Sequence, residues 1–382
     1  YALVEAEEDF RVPLMKIKDR YDTIINGLNL KLSLEEEFKK ISENFKNKAG
    51  VDYAASRGEY LNGIIMANYL GYEFVDAAEV IFFEEDGTFD TEKTNKVLAK
   101  RLEKCERAVI PGFYGALPDG TIKTFSRGGS DITGSLVAKA INADLYENWT
   151  DVSGFFACDP RIVPSAKCIK ELSYQELREL SYMGANVLHS DSIFPVKAAG
   201  IPIRIRNTFR PQDEGTLIVD SDVRNPEGNV VTGIAGKKDF TVILLEKSMM
   251  NAEVGFAANV LKVLCRHGIS FEHLPSGIDT MSVVIENKYL EEVSLDDILQ
   301  EIRDAVHPDY IHTRESVALV ATVGHGMAES VGTSGRLFKA LSDAEINVIM
   351  IDQGSSELNI IVGVDNEDCA ACIRAIYREF FG

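Results

Sequence analysis

The sequence is poor in cysteine, in long apolar runs and in positive charge, and each deficit excludes a class of protein. Six cysteines among 382 residues are too sparse for the disulfide framework of a small secreted protein, which indicates a reducing cytoplasm. No apolar run approaches the roughly 20 residues that cross a bilayer, so we expect a soluble chain. The six histidines show no metal-ligand spacing, so no metal site is predicted.

Lysine and arginine number 40 against 60 aspartates and glutamates, which gives a formal net charge of -20. Such a charge repels nucleic acids and anionic membrane surfaces, so neither is expected as a partner. Any phosphate site must be local and depend on particular cations. The length and the hydrophobic content of 45% are sufficient for several domains.

Predicted helices alternate with short apolar strands through residues 1–220. Two early helices, over 34–48 and 58–71, stop at Gly50 and Gly71, and a strand region over 72–83 follows. This alternation is typical of a parallel sheet covered by helices on both faces. The polar, turn-rich stretch 221–239 has no clear periodicity, which predicts a linker.

Beyond the linker the sequence repeats itself. Gly255 and Gly332 lie 77 residues apart, and the same offset relates Ile269 to Ile346. Each copy has the pattern strand, glycine-led helix, strand, tight turn, strand, helix, which predicts two small α/β modules, over 240–315 and 316–382.

The segment "KTFSRGGSDITG" combines features of an anion site. Arg127 offers a fork of donors, and Gly128 and Gly129 let backbone N–H groups approach a ligand. A helix expected to begin near Ile132 points its free N–H groups at the same place. Asp131 then has two interpretations: a helix cap, or, together with Arg127, one half of a site for a ligand that carries both charges. An amino acid is such a ligand.

A second block, "ENWTDVSGFFACDPRIVPSAK", places Thr150 and Asp151 at the end of a predicted strand, ahead of Asp159 and Arg161. Ligands of open α/β sheets bind outside the carboxyl ends of strands, so this position suggests a site. The alternative is a turn-rich connection in which Asp159 only forms a turn. Arg161 favours the phosphate-binding interpretation.

Glu59, in "ASRGEYLNG", is expected at the start of a helix. A carboxylate there is favoured by the helix dipole without any further role. It becomes a site residue only if it faces the same pocket as Asp131.

Several segments occur in a characteristic order: "SRGE", "PGFYG", "FSRGGSD", "WTDVSGFFACDPR", "GANVLH" and then the two repeated modules. Across nearly the whole chain this order resembles the aspartokinases, members of the amino acid kinase family. The resemblance implies a mostly parallel sheet sandwiched by helices, followed by two ferredoxin-like βαββαβ (ACT) modules. It also implies transfer of the γ-phosphate of ATP, with magnesium, to the side-chain carboxylate of aspartate. That reaction is the first step towards lysine, threonine and methionine.

The resemblance assigns roles to particular residues. Arg127 would bind the α-carboxylate of aspartate, Asp131 and Glu59 its ammonium, and Phe113 and Ser130 would line the pocket beside Gly128 and Gly129. The nucleotide-binding residues would be Thr150, Asp151, Phe156, Asp159, Arg161 and Asn186. Since a carboxylate is already a nucleophile, no general base is required, and the protein has to position the substrates and offset their mutual repulsion.

Three departures from the family pattern stand out. The family opens with a strand ending in Lys-Phe-Gly-Gly, and no such motif precedes Glu59. We expect missing upstream sequence, because the opening "YALVEAEEDFRVPL" does not look like a natural start. The alternative is a catalytically weak or silent sensing paralogue that pairs with an active kinase. Asn186 stands where many relatives have a lysine, and Ser190 where proline is usual.

The ACT-like modules imply regulation by a feedback amino acid, with lysine expected, and assembly into a homodimer or larger oligomer. The expected effector residues are Met250, Glu253, Gly255, Phe256, Ala257, Glu272 and Ser276. Glu272 could meet the ammonium of a ligand or could be an ordinary glutamate at a strand end. Coupling between effector and substrate sites is typically about 1 to 3 kcal/mol.

Cys369 and Cys372 form a CxxC pair, which is found in redox proteins. Here the pair lies on one apolar face of a predicted closing helix, without the strand and turn of a thioredoxin-like motif. We therefore predict that both cysteines serve packing.

Overall fold

The computed structural model describes residues 1–185, 188, 193–220 and 230–382. These residues form two compact units: Tyr1–Trp149 with Leu188–Arg204, and Thr150–Val187 with Ile205–Gly382. Asn186, Ser190 and the part of the predicted linker over 221–229 lie outside the described residues. No helix in the described ranges is long and apolar enough to cross a membrane.

The first 150 residues begin with four helices, after which short strands are interspersed with helices. In chain order these are α1 (Ala2–Glu5), α2 (Arg11–Gly27), α3 (Glu35–Lys46), α4 (Val51–Leu70), β1 (Glu73–Phe74), α5 (Ala77–Val80), α6 (Thr91–Leu102), β2 (Ala108–Val109), β3 (Tyr114–Ala116), β4 (Ile122–Thr124), α7 (Gly129–Ala140) and β5 (Tyr146–Thr150). β1 and β2 pair in parallel, whereas β3 and β4 form an antiparallel pair. The predicted α/β class is confirmed.

The strand region predicted over 72–83 is interrupted by a short helix. Asp76 accepts a hydrogen bond from the N–H of Ala78 and so caps α5. Local capping therefore overrides the apolar pattern that favoured a continuous strand. By contrast, Gly71 ends α4 in the left-handed conformation, with φ 70, as its position predicted.

The rest of the chain begins with β6 (Glu171–Ser173), α8 (Tyr174–Tyr182), α9 (Phe194–Ala198), β7 (Ile203–Asn207) and β8 (Thr216–Val219). It continues with β9 (Gly233–Glu246), α10 (Phe256–Arg266), β10 (Thr280–Glu286), α11 (Leu295–Val306), β11 (Tyr310–Val323), α12 (Thr333–Asp343), β12 (Met350–Asp352), β13 (Asn359–Asp365) and α13 (Cys369–Phe381). β6 and β8 pair in parallel.

The repeat predicted from the sequence is visible in the backbone. α10 and α12 each follow a left-handed N-cap glycine, Gly255 with φ 91 and Gly332 with φ 90. Their strands share one five-stranded sheet in the order β10-β9-β11-β13-β12. The inward-facing side chains of β10 pack against the apolar faces of α10 and α11 and form the core of the first module.

The two modules are nested, which corrects the predicted boundaries. Residues 233–237, expected in the linker, form the first half of β9 and pair with residues 319–323 of β11, a strand that also pairs with β13. The second half of β9 pairs with β10. The sheet of the second module thus includes a strand from upstream of the first module.

All six cysteines are free, and Cys369 and Cys372 are buried. Both side chains lie on the inner face of α13, at 3% and 0% exposure. The prediction that this CxxC pair serves packing is confirmed.

Candidate functional site

The segment proposed to bind an amino acid forms the start of α7. Gly128 is the N-cap with φ 57, and the helix begins at Gly129, one turn earlier than predicted. Asp131 is therefore the third helical residue and makes no side-chain cap. Its carboxylate instead accepts a hydrogen bond from Nδ2 of Asn148 at 2.8 Å. The interpretation of Asp131 as a helix cap is wrong, and its carboxylate is held by a neighbouring strand.

Phe113 lies directly against this helix start. Its backbone adopts the left-handed conformation with φ 69, and its N–H donates to Oγ1 of Thr133 at 3.1 Å. A Cβ on Gly129 would stand 2.7 Å from Cβ of Phe113, and a Cβ on Gly112 would stand 3.1 Å from Cα of Ser130. Glycine at both positions is what lets the loop approach the helix.

Arg127, just before the N-cap, has an exposed side chain. Within the described residues no hydrogen bond or ion pair engages its guanidinium, so its donors are available to an anion. The first N–H groups of α7 have no hydrogen-bond acceptor within the helix, and they lie beside Arg127 in the sequence. Residues 127–131 thus combine a guanidinium, free backbone donors and an oriented carboxylate, the combination that an amino acid requires.

Glu59 was predicted at the start of a helix, and this prediction is wrong. α4 begins at Val51, directly after Gly50 with φ 97, so Glu59 lies two turns into the helix and is exposed. The residue in the first turn is Asp52, which accepts a hydrogen bond from Oγ1 of Thr124 at 2.8 Å. Burial acts to raise the pKa of Asp52, but the hydrogen bonds from Thr124 hold it below its usual range. Asp52 thus connects α4 to β4, and a role for Glu59 in substrate binding stays a prediction.

Sequence reasoning missed two residues that support the site from β5. Asn148 holds the carboxylate of Asp131, and the hydroxyl of Tyr146 lies 3.4 Å from the carbonyl oxygen of Asp131. A Cβ on Gly134 would stand 2.6 Å from that hydroxyl, so β5 contacts α7 closely. Tyr146 and Asn148 occupy the alternate, partly buried positions of β5, which is why both side chains face α7.

Arg57, in the quoted motif "SRGE", was also missed. The residue is only 9% exposed, and its guanidinium carbon lies 4.5 Å from the ring centroid of Tyr53 and 4.4 Å from that of Tyr60. It also lies 5.5 Å from the ring centroid of Tyr114 in β3. These cation–π contacts tie α4 to the strand that follows Phe113, so Arg57 stabilises the framework of the site.

The proposed nucleotide residues that the structure describes are in the second unit, and several of them lie on one hairpin. Ala157 and Lys167 are linked by a backbone hydrogen bond of 2.8 Å. Between them, the guanidinium of Arg161 pairs with the carboxylate of Asp159 at 2.6 Å. This ion pair lowers the pKa of Asp159. Arg161 is 90% exposed, and Asp159 engages its Nε and Nη2 atoms, so Nη1 is accessible to a phosphate.

Three further nucleotide candidates surround this hairpin in sequence. Oγ1 of Thr150 donates to the exposed carboxylate of Asp151 at 3.2 Å. Phe156 is partly buried and bridges to Cys168 within the hairpin. Asn186 lies outside the described residues.

The proposed effector residues divide between a loop and a paired segment. Glu253, Gly255 and Ala257 are exposed where the loop meets α10, and Glu253 forms an ion pair with Lys247. Met250 and Phe256 belong instead to the core of the first module, at 9% and 4% exposure, because α10 turns its apolar face inward. On the segment paired with β10, the N–H of Glu272 donates to the carbonyl of Val284 at 2.8 Å, and Oγ of Ser276 donates to the carbonyl of Leu274.

The fold and the helix start thus define an α/β protein with a polar, donor-rich helix N-terminus and two repeated C-terminal modules. Comparison with known proteins agrees. Residues 16–207 match the amino acid kinase family, and residues 320–380 match the ACT domain. Aspartokinase 3 of Bacillus subtilis is 37% identical over 380 residues, which cover 96% of this chain and 83% of that protein.

Solved structures give the same result. The crystal structure of the aspartate kinase of Clostridium acetobutylicum, described as an allosteric enzyme, has 51% sequence identity and a TM-score of 0.93, and covers 99% of this chain and 87% of that one. Aspartokinase III of E. coli shares the fold at 24% identity, with a TM-score of 0.71 for its complex with aspartate and ADP, over 95% of this chain and 87% of that one. Its complex with lysine and aspartate gives 0.73, over 99% and 86%. The chain therefore belongs to the amino acid kinase family and, within it, to the aspartokinases with C-terminal ACT domains.

Proposed function

We propose that this chain is an aspartate kinase, which transfers the γ-phosphoryl group of ATP to the side-chain carboxylate of L-aspartate and yields 4-phospho-L-aspartate. The observation that carries the proposal is the start of α7. There Arg127 has free donors, and Asn148 holds the Asp131 carboxylate in a fixed orientation. Membership of the aspartokinases supports the same reaction.

Substrate binding follows from the two charges of the amino acid. Arg127 and the first N–H groups of α7 would bind the α-carboxylate, while Asp131, with Glu59 as a second acid, would bind the ammonium. Phe113, Ser130, Gly128 and Gly129 would shape the pocket. Aspartate then keeps its side-chain carboxylate free to attack, and no general base is needed because that group is already ionised at neutral pH. Positioning of this kind is a large part of the catalysis of phosphoryl transfer.

The nucleotide would bind through Thr150, Asp151, Phe156, Asp159, Arg161 and Asn186. The exposed guanidinium of Arg161 would meet the phosphates and reduce the repulsion between the two anionic substrates. No group of acidic, histidine or cysteine side chains within the described ranges could by itself hold a metal ion. Magnesium would therefore come with the ATP phosphates and supply additional positive charge.

Regulation by an end product follows from the ACT modules. We infer that a feedback amino acid, with lysine first among the candidates, binds at the loop before α10 through Glu253, Gly255 and Ala257, with Glu272 meeting its ammonium. E. coli aspartokinase III has been crystallised with lysine. We further infer a cytoplasmic homodimer or larger oligomer assembled through these modules, and a role at the start of lysine, threonine and methionine synthesis.

The test is release of ADP in the presence of aspartate. Arg127→Ala should raise the KM for aspartate about a hundredfold, because a charged, bidentate contact is lost. Asp131→Asn should also raise this KM, and the KM for ATP should change little in both variants. Lys139→Ala, in the last turn of the same helix, is the control and should behave as the wild type.

The same assay separates the alternatives. A panel of amino acids in which glutamate, and not aspartate, stimulates ADP release would identify a different amino acid kinase. Lysine binding in calorimetry without turnover of any substrate would indicate a sensing paralogue. An unchanged KM for aspartate in Arg127→Ala would contradict the proposed site.

A further inference from the structure

Tyr377 of α13 joins the end of the chain to the hairpin that carries Asp159 and Arg161. Its side chain is only 7% exposed. Its hydroxyl accepts a hydrogen bond from the N–H of Lys167 at 3.0 Å and donates one to the carbonyl of Ser165 at 3.2 Å. A single hydroxyl thereby satisfies two backbone groups on the returning limb of the hairpin.

Both limbs of the hairpin are held by the second module. On the outgoing limb, the carbonyl of Ala157 accepts a hydrogen bond from the N–H of Ile234, in the first half of β9, at 2.7 Å. On the returning limb, Nζ of Lys167 donates to the carbonyl of Phe381 at 2.7 Å. β9 and α13 therefore enclose the base of the loop that contains Asp159 and Arg161.

A buried carboxylate fastens the next helix to the same module. Glu176 in α8 is 0% exposed. It accepts hydrogen bonds from the N–H of Ser173 at 2.9 Å, Oγ1 of Thr232 at 2.6 Å and the N–H of His325 at 3.1 Å. The ring of His325 also contacts Oγ of Ser173 at 2.9 Å. A buried carboxylate is costly unless donors surround it, so this cluster fixes α8 in one position.

His325 lies 77 residues after Ser248, in the loop of the second module that corresponds to the proposed effector loop of the first. In the second module this loop contacts α8. Asn359, at the start of β13, adds a hydrogen bond of 2.6 Å from its Nδ2 to Glu179 of α8. The start of this loop, which in the first module is proposed to receive a ligand, is here engaged by α8 through His325, whereas Val331 and Gly332 at its end stay exposed.

We propose that the second module is a clamp for the nucleotide segment, and that Tyr377 is a positioning residue for ATP. The proposal deepens the proposed function and rests on it, because it assumes that the Asp159–Arg161 hairpin contacts the nucleotide. A hairpin fixed before binding loses less conformational freedom when ATP binds, which increases affinity. The clamp therefore acts on the affinity for ATP and leaves that for aspartate unchanged.

The test is Tyr377→Phe in the full chain, which removes the hydroxyl and keeps the ring. Loss of two buried hydrogen bonds to one hydroxyl should weaken ATP binding about fivefold to tenfold. ATP affinity is measured by calorimetry, without turnover, and the KM for aspartate should remain that of the wild type. Arg374→Ala, exposed on the same helix, is the matched control and should leave both values unchanged.

Each result decides the proposal. Unchanged ATP affinity in Tyr377→Phe overturns it, as does an equal loss of affinity for ATP and aspartate, which would indicate general loosening. If Tyr377→Phe does not fold, Glu176→Gln is judged by the same two values. If the wild-type chain does not bind ATP, the proposal of a clamp is wrong. ATP binding without aspartate-dependent ADP release contradicts only the proposed reaction and leaves the clamp to be judged by calorimetry.

Discussion

The two small modules share one sequence pattern, yet their equivalent loops have different surroundings. In the first loop, over 248–255, Ser248 bonds to Asp309 at 2.7 Å and Glu253 pairs with Lys247, all within the first module. In the second loop, over 325–332, His325 contacts Ser173 and Glu176. A repeat thus predicts the shape of a module, whereas the residues that meet its loops decide what it can bind.

Cysteine reactivity gives the largest expected contrast between the modules. Cys265 of α10 is exposed, whereas Cys372 of α13 is fully buried, and burial raises the pKa of Cys372 to about 12. Because only the thiolate is nucleophilic, Cys372 should react with iodoacetamide at pH 8 roughly a thousandfold more slowly than a free peptide cysteine. Mass spectrometry of a labelling time course measures the rates. Similar labelling of both residues would show that α13 does not pack as described.

Removal of the Glu176 carboxylate should break the contact that distinguishes the second module. Glu176→Ala leaves two buried N–H groups without an acceptor, so we expect a loss of about 3 kcal/mol in the free energy of unfolding. Urea denaturation followed by circular dichroism measures it. Gln175→Ala, exposed on the same helix, should cost well under 1 kcal/mol apart from any change in helix propensity. Equal losses in both variants would exclude a special role for the carboxylate.

Glu272 tests whether the first module alone senses the effector. Glu272→Gln removes the charge that would meet an ammonium, so half-inhibition should require about tenfold more lysine, a typical cost for one charged hydrogen bond. The KM values without lysine should not change. Glu367→Gln, exposed in the second module, serves as the control. Equal shifts in the two variants would mean that both modules take part in sensing.

The smallest expected effect concerns the two N-cap glycines of the modules. Gly255 and Gly332 have φ 91 and φ 90, and open space surrounds the position of a Cβ at both. Alanine at either position should therefore cost about 1 kcal/mol of stability from backbone strain alone. Only Gly255→Ala should also weaken lysine inhibition. Loss of inhibition in Gly332→Ala would mean that the second loop, too, binds an effector.

Local patterns in the sequence predicted a large part of this architecture. Gly71 and Gly255 marked a helix end and a helix start, and the 77-residue offset located α12 from α10. The charged segment around Arg127 was identified because it combines residue types that one ligand needs. These features depend on neighbours in sequence, which a single chain displays.

Contacts between distant residues could not be predicted in the same way. Nothing near Asp131 in sequence indicates that Asn148 holds its carboxylate, and the hydrogen bonds of Tyr377 join residues 210 positions or more apart. Residues 233–237 were assigned to a linker because the stretch 221–239 is polar and turn-rich, without clear periodicity, and their partners 319–323 lie far away in the sequence.

Nesting has a consequence for how the protein can change. The chain leaves the second module at Asp239 and returns at Ser316, and both residues adopt the left-handed backbone conformation. Phe240 and Val317, the residues that follow them, pair with each other in the sheet. Residues 240–314 therefore form a cassette whose two ends adjoin, and it also contacts the second module through His273 with Asp352 at 2.6 Å and Arg314 with Asp365 at 3.0 Å. Exchanging this cassette for one from another sensor protein should change which metabolite regulates the enzyme. The first half of β9 and α13, which hold the Asp159–Arg161 hairpin, lie outside the exchanged segment.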